Sequence, residues 1–412
     1  MINKPRGTED ILPLQSTLWR LIEQTIHDVC ENFGYGEIRT PTFEATELFE
    51  RGVGDTTDVV QKEMYTFLDK GERSMTLRPE GTASVVRAYL ENSLYAHPQP
   101  TKLYYIIPCY RYEKPQAGRL REFHQFGIEC FGSQSPAADV EVISLAVNLL
   151  ERLEVSGVEL NVNSIGCPVC RQDYNENLKM YFTERKDKLC QTCLGRLDKN
   201  PMRIIDCKSP VCSEIAKSAP KVSDNLCEEC ETHFTAVKSG LNNLGLNYNI
   251  DPNIVRGLDY YTKTVFEITS NALGSQSALF GGGRYDGLVS TLGGAETPAI
   301  GFAMGLERLV RIIEQQQTVE VSGVDLFITT IGEAALATAE KLAYNLRRSG
   351  KSVQIDLCGR SVKAQMKFAD KIGAKYSVVL GDDEVNSGIV KLKNMQNGES
   401  KEVKSDKLED EI

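Results

Sequence analysis

A β-hairpin predicted over Leu103–Gly132 constrains the fold of this chain more than any other feature of its sequence. Two strand-like runs flank Lys114–Gly118, a turn that contains a proline and a glycine. Because successive side chains of a strand point to opposite faces, the even-numbered residues from Leu120 to Cys130 form a mainly apolar face. The odd-numbered residues form a second, mostly polar face. The sequence therefore predicts an antiparallel sheet with one packed face and one polar face.

The polar face of this hairpin has side chains suited to hold a nucleotide beside a second polar molecule. They are Arg119, Phe123, Gln125 and Glu129 from the second run and Arg111 and Glu113 from the first. Arginine can donate two parallel hydrogen bonds to phosphate oxygens, and a phenylalanine ring can stack on a nucleobase. The amide and the carboxylates can bind the second substrate. A solvated face with cross-strand ion pairs explains the same pattern equally well.

Two short segments with turn-forming residues are also candidates for ligand binding. Glu80, Gly81 and Thr82 could bind an ammonium group at a tight turn, although a helix start with a threonine cap explains them better when taken alone. Gly281–Gly287 predicts a glycine-rich turn whose backbone could approach a ligand closely. That segment lacks the strand–turn–helix setting of a dinucleotide-binding fingerprint, which excludes that interpretation.

Two further arginines could reach a phosphate. Arg256 precedes a strand-like run that begins with Tyr260 and Tyr261, although a loop arginine and half-buried tyrosines are the simpler explanation. Arg308 lies on a helix predicted from about Gly301, where a surface arginine is the simpler explanation.

The charge balance excludes a protein that binds nucleic acid through its overall charge. Lys and Arg total 47 and Asp and Glu total 57, which leaves a net charge of −10. The 35 residues of Lys341–Lys375 are an exception, with nine Lys or Arg against two Asp. No apolar run is long enough to span a membrane, and the amino terminus lacks the apolar core of a signal peptide. We therefore expect a cytoplasmic protein.

The order of predicted elements divides the chain into three parts. Residues 1–322 mix helices and strands, including a strand over Glu37–Phe43, and contain a cysteine-rich, helical insertion at residues 166–232. Residues 323–412 alternate short strands with helices after a polar linker at residues 315–322. That alternation predicts a small α/β domain with an at least partly parallel sheet.

Eight of the twelve cysteines lie in the insertion and suggest metal binding. The first four, Cys167, Cys170, Cys190 and Cys193, form two C-x2-C pairs separated by 19 residues, a spacing typical of zinc sites. The others, Cys207, Cys212, Cys227 and Cys230, form a second tentative set. Which pairs share an ion remains open, and reduced cysteines without metal are the alternative. Zinc held by four thiolates would be structural, because no coordination position stays open.

Several of these segments, taken in order, resemble the motifs of class II aminoacyl-tRNA synthetases, and specifically of the histidyl-tRNA synthetase family. Gly34–Phe49 is similar to motif 1, Cys109–Glu113 with the following GRLREFHQFGIE to motif 2, and Gly301–Leu309 (GFAMGLERL) to motif 3. RGLDYYT, from Arg256, and GGGRYDGL, from Gly281, resemble the two histidine-specific motifs. The resemblance implies an α+β fold: a mainly antiparallel catalytic core with the insertion, followed by an α/β anticodon-binding domain, in a homodimer.

The resemblance also implies a reaction, in which ATP activates L-histidine and the 3′ end of tRNA(His) receives the histidyl group. By similarity, Arg111, Arg256 and Gln125 are catalytic, and ATP with expected Mg²⁺ binds at Arg111, Glu113, Arg119, Phe123 and Arg308. The residues implied to bind histidine are Glu80, Gly81, Thr82, Arg111, Gln125, Glu129, Arg256, Tyr260 and Tyr261. The basic segment Lys341–Lys375 would contact RNA. The alternative is a regulatory paralogue, a non-enzymatic subunit of ATP phosphoribosyltransferase, which typically lacks the anticodon domain and an intact RGLDYYT string.

Overall fold

The computed structural model describes residues 2–54, 57–116, 118–198, 200–205, 207, 209–254, 258, 260–273, 278–317 and 323–412. The chain forms two compact units, Met1–Val319 and Glu320–Ile412. Within the described residues, no helix combines the length and apolar composition that crossing a membrane requires.

The first unit is organised around an eight-stranded sheet, and a three-stranded sheet forms separately. Its strands are β1 (Gly36–Glu37), β2 (Phe43–Ala45), β3 (Tyr65–Leu68), β4 (Ser74–Leu77), β5 (Thr101–Tyr110), β6 (Glu122–Phe131), β7 (Val158–Ser164), β8 (Asn249–Ile250), β9 (Thr262–Ser270), β10 (Ala278–Arg284) and β11 (Ala299–Gly305). The large sheet has the order β1-β5-β6-β11-β10-β9-β7-β8 and the small one β2-β4-β3. The large sheet is antiparallel except where β1 and β8 join its ends. The predicted antiparallel core is therefore confirmed.

Helices cover one face of the large sheet because its strands present apolar side chains there. The helices of the unit are α1 (Pro13–Asn32), α2 (Thr46–Val53), α3 (Thr82–Glu91), α4 (Pro136–Arg152), α5 (Pro168–Thr183), α6 (Gln191–Leu197), α7 (Pro210–Ala216), α8 (Glu228–Asn243), α9 (Leu288–Thr291) and α10 (Leu306–Gln316). The even-numbered Phe126, Ile128 and Cys130 of β6 share one core with α1, α4, α8 and α10. The odd-numbered Tyr105 and Ile107 of β5 belong to a second core on the other face, which includes the insertion.

Most of the predicted turn at Gly281–Gly287 and the start of the predicted helix from Gly301 fold as strands, and only Asp286 and Gly287 form a turn. Gly281–Arg284 belongs to β10, and a Cβ on Gly282 would lie 2.2 Å from the carbonyl oxygen of Gly301 in β11. These glycines therefore allow close backbone approach within the sheet rather than reversing the chain. The apolar residues of β11 recur with the two-residue period of a strand, and the helix begins only at Leu306.

The predicted strand over Glu37–Phe43 is also wrong, because two short strands occupy its ends. β1 pairs with β5 in the large sheet, whereas β2 pairs with β4 in the small one. Pro41 lies between them and has no N–H to donate, so a continuous ladder would lose a hydrogen bond at that position. The chain instead passes from one sheet to the other.

The second unit is the predicted α/β fold. Its elements are β12 (Leu326–Thr330), α11 (Glu333–Arg348), β13 (Val353–Ile355), α12 (Val362–Lys371), β14 (Tyr376–Leu380), α13 (Asp382–Ser387), β15 (Ile389–Asn394) and β16 (Ser400–Lys404). The sheet order is β13-β12-β14-β15-β16. Its first three strands are parallel and the last two are antiparallel, so the sheet is partly parallel, as predicted.

A buried ion pair joins the sheet to the helices of the first unit. Arg284 of β10 is fully buried, and its guanidinium lies 2.6 Å from the carboxylate of Asp139 in α4. His233 of α8 lies 3.2 Å from the same carboxylate. Although burial opposes ionisation, the hydrogen bond from His233 and the charge of Arg284 hold the pKa of Asp139 below its usual range.

Removing this carboxylate should strongly destabilise the first unit. We expect Asp139→Ala to lower the free energy of unfolding by about 3–5 kcal/mol, because the buried charge of Arg284 loses its nearest carboxylate and keeps only Asp286, at 3.4 Å. Urea unfolding followed by the fluorescence of the single tryptophan, Trp19, measures the change. Glu91→Ala is the control, since it removes an exposed pair with Arg87 and should cost under about 1 kcal/mol. Equal effects of the two substitutions would contradict the prediction.

Candidate active site

A cavity of about 340 Å³ opens over the polar face of the hairpin formed by β5 and β6. Ten residues singled out in the sequence line it: Glu80, Thr82, Arg111, Glu113, Arg119, Phe123, Gln125, Tyr260, Tyr261 and Arg308. They come from five separate segments of the chain. The pairing of β5 with β6 brings three of them, Arg111, Phe123 and Gln125, to the same place. Cys109 lies opposite Phe123 and Ile107 opposite Gln125, and Arg111 lies just beyond the last paired residues.

Guanidinium groups gather at one end of the cavity. Arg111 donates from Nε to the carbonyl oxygen of Pro79 at 2.7 Å, and its guanidinium lies 5.3 Å from the centre of the Phe123 ring. Glu113 is shared between two arginines, with Arg119 at 2.9 Å and Arg111 at 3.9 Å. These contacts hold the cationic groups in place before any ligand arrives, which is typical of a preorganised anion site.

Arg308 joins this end of the cavity from α10. Its guanidinium donates to the carbonyl oxygens of Gly118 and Ala278. Burial, and then the positive charge of Arg119, lower the pKa of Arg308 below its usual range. The cationic groups therefore repel one another, and a bound polyanion would relieve that repulsion.

The turn before α3 supplies a second polar group of the cavity. The carboxylate of Glu80 accepts hydrogen bonds from the backbone N–H groups of Thr82 at 2.7 Å and Ala83 at 2.8 Å. Glu80 therefore caps α3, a role that the sequence suggested for Thr82. Burial raises the pKa of the Glu80 carboxyl above its usual range. Gly81 donates its N–H to Gln125 Oε1 at 2.8 Å, which fixes the amide in the cavity wall.

Glu129 does not line the cavity but lies beneath its floor. Its side chain is 1% exposed and accepts hydrogen bonds from the hydroxyls of Tyr105, at 3.2 Å, and Tyr285. Burial raises the pKa of the Glu129 carboxyl to about 8, despite those hydrogen bonds. A Cβ at position 301 would lie 2.2 Å from this carboxylate, so the glycine there makes room for it.

Sequence reasoning missed three functional groups at this site. Tyr105 shares the parity of Arg111, and Tyr285 lies within the GGGRYDG string, so both carried a signal. The Tyr285 ring is 5.6 Å from that of Tyr260. Glu307 lies in the motif 3 string, lines the cavity and accepts the backbone N–H of His124 at 2.8 Å. Among the described residues, its other oxygen, Oε2, is buried without a hydrogen-bond partner.

Arg256, predicted as a catalytic and histidine-binding residue, lies outside the described residues. The same holds for Gly257 and Asp259 of the RGLDYYT string, whereas Leu258 and the two tyrosines are described and line the cavity.

The insertion forms two groups of four cysteines, and their grouping corrects the tentative sets. Cys167 and Cys170 meet Cys227 and Cys230, while Cys190 and Cys193 meet Cys207 and Cys212. The chain leaves the sheet after β7 and returns to it at β8 through α8. The first and last cysteine pairs of the insertion therefore come together, and the two middle pairs lie between them in the sequence. We call these groups the outer and the inner cysteine set.

The sulfur spacing in both sets is compatible with a zinc site. Sγ–Sγ distances are 3.6 Å for Cys167–Cys170, 3.9 Å for Cys167–Cys227 and 3.8 Å for Cys190–Cys207. A tetrahedron with Zn–S bonds of about 2.3 Å has edges of about 3.8 Å. The four sulfurs of each set lie within 4.8 Å of one another.

Comparisons with known proteins match the whole chain. The family profile described as "Histidyl-tRNA synthetase" matches residues 7–309, and "Anticodon binding domain" matches residues 325–412. The "Histidine--tRNA ligase" of Acetivibrio thermocellus is 58% identical over 98% of this chain and 97% of its own length, and that of Clostridium perfringens strain SM101 is 54% identical over the same shares. The crystal structure of apo S. aureus histidyl-tRNA synthetase is 40% identical, with a TM-score of 0.86, and the match covers 100% of this chain and 99% of that one.

The buried carboxyl of Glu129 should make stability depend on pH. The folded state binds this proton more tightly than the unfolded chain does, since its pKa rises from 4.5 to about 8 on folding. Stability from this group is therefore complete below pH 4.5 and is lost as the pH rises towards about 8. We expect the unfolding free energy of the wild type, relative to Glu129→Gln, to fall by up to about 1.4 kcal/mol per pH unit in that window.

Urea unfolding at several pH values, followed by Trp19 fluorescence, measures this difference. Glu91→Gln is the control, because the Glu91 side chain is 67% exposed. The unfolding free energy of this variant should change with pH as that of the wild type does. A difference between the wild type and Glu129→Gln that does not change with pH would contradict the prediction.

Proposed function

Since this chain belongs to the histidyl-tRNA synthetase family, we propose that it activates L-histidine with ATP and transfers the histidyl group to the 3′ end of tRNA(His). The chain is thus an enzyme, an aminoacyl-tRNA synthetase. A histidine carboxylate oxygen attacks the α-phosphorus of ATP and pyrophosphate leaves. A terminal ribose hydroxyl of the tRNA then attacks the carbonyl carbon of the adenylate and AMP leaves.

The convergence of ten predicted residues on one cavity carries this proposal. The cavity has a cationic end and an end lined by carboxylate, amide and tyrosine groups, as a reaction between a polyphosphate and an amino acid requires. Such chemistry depends on positioning and on neutralising charge more than on a covalent catalyst.

At the cationic end, Arg111 is proposed to contact the α-phosphate and Arg308 the γ-phosphate. The proposed role of Arg111 is supported by its contacts with Pro79 and Phe123, because they hold the guanidinium at the cationic end of the cavity. Phe123 would stack on adenine, with Glu113 and Arg119 completing the ATP site. Arg256 is proposed by family resemblance alone to stabilise the same developing charge.

At the other end, Glu80, Gly81, Thr82 and Gln125 are proposed to hold the α-amino group of histidine. Tyr260 and Tyr261 would read the imidazole, since both line the cavity. Glu129 would act from beneath the floor by orienting the hydroxyls of Tyr105 and Tyr285. Buried polar groups of this kind reject analogues that would leave them without hydrogen bonds.

Mg²⁺ is proposed to accompany ATP. It prefers oxygen ligands, and Glu113 and Glu307 both line the cavity. Among the described residues, Glu307 Oε2 is buried and lacks a hydrogen-bond partner, which fits a carboxylate available to a cation. When bound, the ion would neutralise phosphate charge during adenylate formation.

Zinc is proposed for the insertion, with one ion held by the outer set and one by the inner set. The Sγ–Sγ distances support this assignment, and four thiolates per ion make both sites structural.

The second unit is proposed to bind the anticodon stem through the basic segment Lys341–Lys375, because seven net positive charges favour contact with phosphates. The domain limits 1–322, 166–232 and 323–412 belong to the same proposal, as do the homodimer and the cytoplasmic location. The regulatory paralogue is not favoured, because the anticodon-domain profile matches and both histidine-specific strings are intact.

Removing either cavity arginine should abolish most of the first half-reaction. We expect Arg111→Ala and Arg308→Ala each to lower kcat/KM for histidine-dependent ATP–pyrophosphate exchange by about 100-fold or more, because a preorganised cation is lost from the phosphate end. Arg152→Ala, at the exposed end of α4, should stay within about twofold of the wild type. Adenylate formation near the wild-type rate in either cavity variant would refute that residue's role.

A further inference from the structure

The outer cysteine set joins the two ends of the insertion at the edge of the large sheet. Cys167 and Cys170 lie at the start of α5, and Cys227 and Cys230 at the start of α8. The backbone N–H of Cys227 donates to Cys170 Sγ at 3.1 Å, which links the two halves directly. The inner set connects only elements within the insertion.

Residues next to both halves of the outer set contact residues 261–263, at the start of β9. From the first half, the carbonyl oxygen of Gly166 accepts from Thr262 Oγ1 at 3.1 Å and from the Lys263 N–H at 2.9 Å. Arg171 donates to the carbonyl oxygen of Tyr261 at 3.0 Å. From the second half, Glu229 forms an ion pair with Lys263 at 2.8 Å. The segment is thus held from two sides by neighbours of the cysteines.

The conformation of this segment needs such restraint. Lys263 has a φ of 50°, in the left-handed region that residues with a side chain rarely adopt. Strained backbone persists where surrounding contacts determine it. Tyr261 is the first residue of the segment and Tyr260 immediately precedes it, and both line the cavity.

We infer that metal bound by the outer cysteine set positions Tyr260 and Tyr261 for the amino-acid substrate, whereas metal bound by the inner set stabilises only the insertion. The inference rests on the proposed function, since histidine is the substrate that the tyrosines contact. Zinc is the metal, and its loss would separate the starts of α5 and α8 and release residues 261–263. The outer set is a positioning site, because its ligands do not line the cavity.

A matched pair of substitutions separates the two sets. Cys227 and Cys190 are both half-buried and both precede a helix, and each donates its backbone N–H to a sulfur of its own set, at 3.1 and 3.2 Å. Cys227→Ser and Cys190→Ser therefore remove equivalent ligands. Zinc analysis of the full-length protein should give about two ions per chain for the wild type and about one for each variant.

The two variants should then differ at the active site. We expect Cys227→Ser to raise the KM for histidine about tenfold, with the KM for ATP and kcat changing less than about threefold, since the loosened tyrosines weaken substrate binding by about 1.4 kcal/mol. Cys190→Ser should leave the KM for histidine within about twofold. Equal effects on the histidine KM would overturn the inference.

Amide hydrogen exchange at Lys263 provides a readout that does not depend on activity. Its N–H donates to Gly166, so it should exchange at least about tenfold faster in Cys227→Ser but not in Cys190→Ser. The inference would be overturned if the Lys263 N–H exchanged at the wild-type rate in Cys227→Ser that has lost the zinc of its outer set. If the wild type lacks histidine-dependent ATP–pyrophosphate exchange but Lys263 shows the expected protection from hydrogen exchange, the proposed function is refuted. The positioning by the outer set is then still supported.

A variant that keeps every thiolate guards against a general folding defect. Arg171→Ala should retain about two zinc ions and raise the KM for histidine, and Arg171→Lys should restore it, because lysine can still donate to Tyr261. The positioning role would be rejected if Arg171→Ala kept both zinc ions and if both this variant and Cys227→Ser had the wild-type KM for histidine.

Discussion

The in-register pairing of β5 with β6 is the interaction on which the site depends. Because side chains alternate along a strand, a shift of one residue would turn Phe123 and Gln125 into the helical core and bring Phe126 and Ile128 into the cavity. Burial of the apolar face under α1, α4 and α10 specifies the register. The position of the cavity groups therefore follows from the free energy of packing on the opposite face of the same sheet.

Burial also explains the electrostatics of the cavity. It raises the pKa of Glu80 and Glu129 and lowers that of Arg308, so charge is unfavourable at both ends of the site. A polyanion at the guanidinium end and a cation at Glu80 would supply the complementary charges. Ligand binding and charge neutralisation are thus coupled, which is how a site without a covalent catalyst can favour a transition state.

The insertion shares a core with this site rather than forming an independent appendage. Leu178 and Phe182 of α5 belong to the same hydrophobic cluster as Tyr261 and Tyr285. A small cysteine-rich segment has little apolar surface of its own, so the proposed zinc ions at its base and its centre would limit the entropy of its loops. Through Gly166 and Arg171, which contact Thr262 and Tyr261, that restraint would extend to the cavity.

Patterns with a fixed period were predictable from the sequence, and contacts between distant segments were not. Parity in the hairpin placed Arg111, Phe123 and Gln125 on one face, and alternation of strands and helices identified the second unit. The short apolar runs around Gly281 and Gly301 were assigned to the wrong elements, because such runs do not distinguish a strand from a helix or a turn. The neighbouring backbone that these glycines accommodate is visible only in the structure. Only the tertiary structure decided that Cys167 meets Cys227 rather than Cys190, and that Glu129 is covered by Tyr105 and Tyr285. The physical reason is that spacing along the chain encodes local geometry, whereas these partners are set by how separate elements pack.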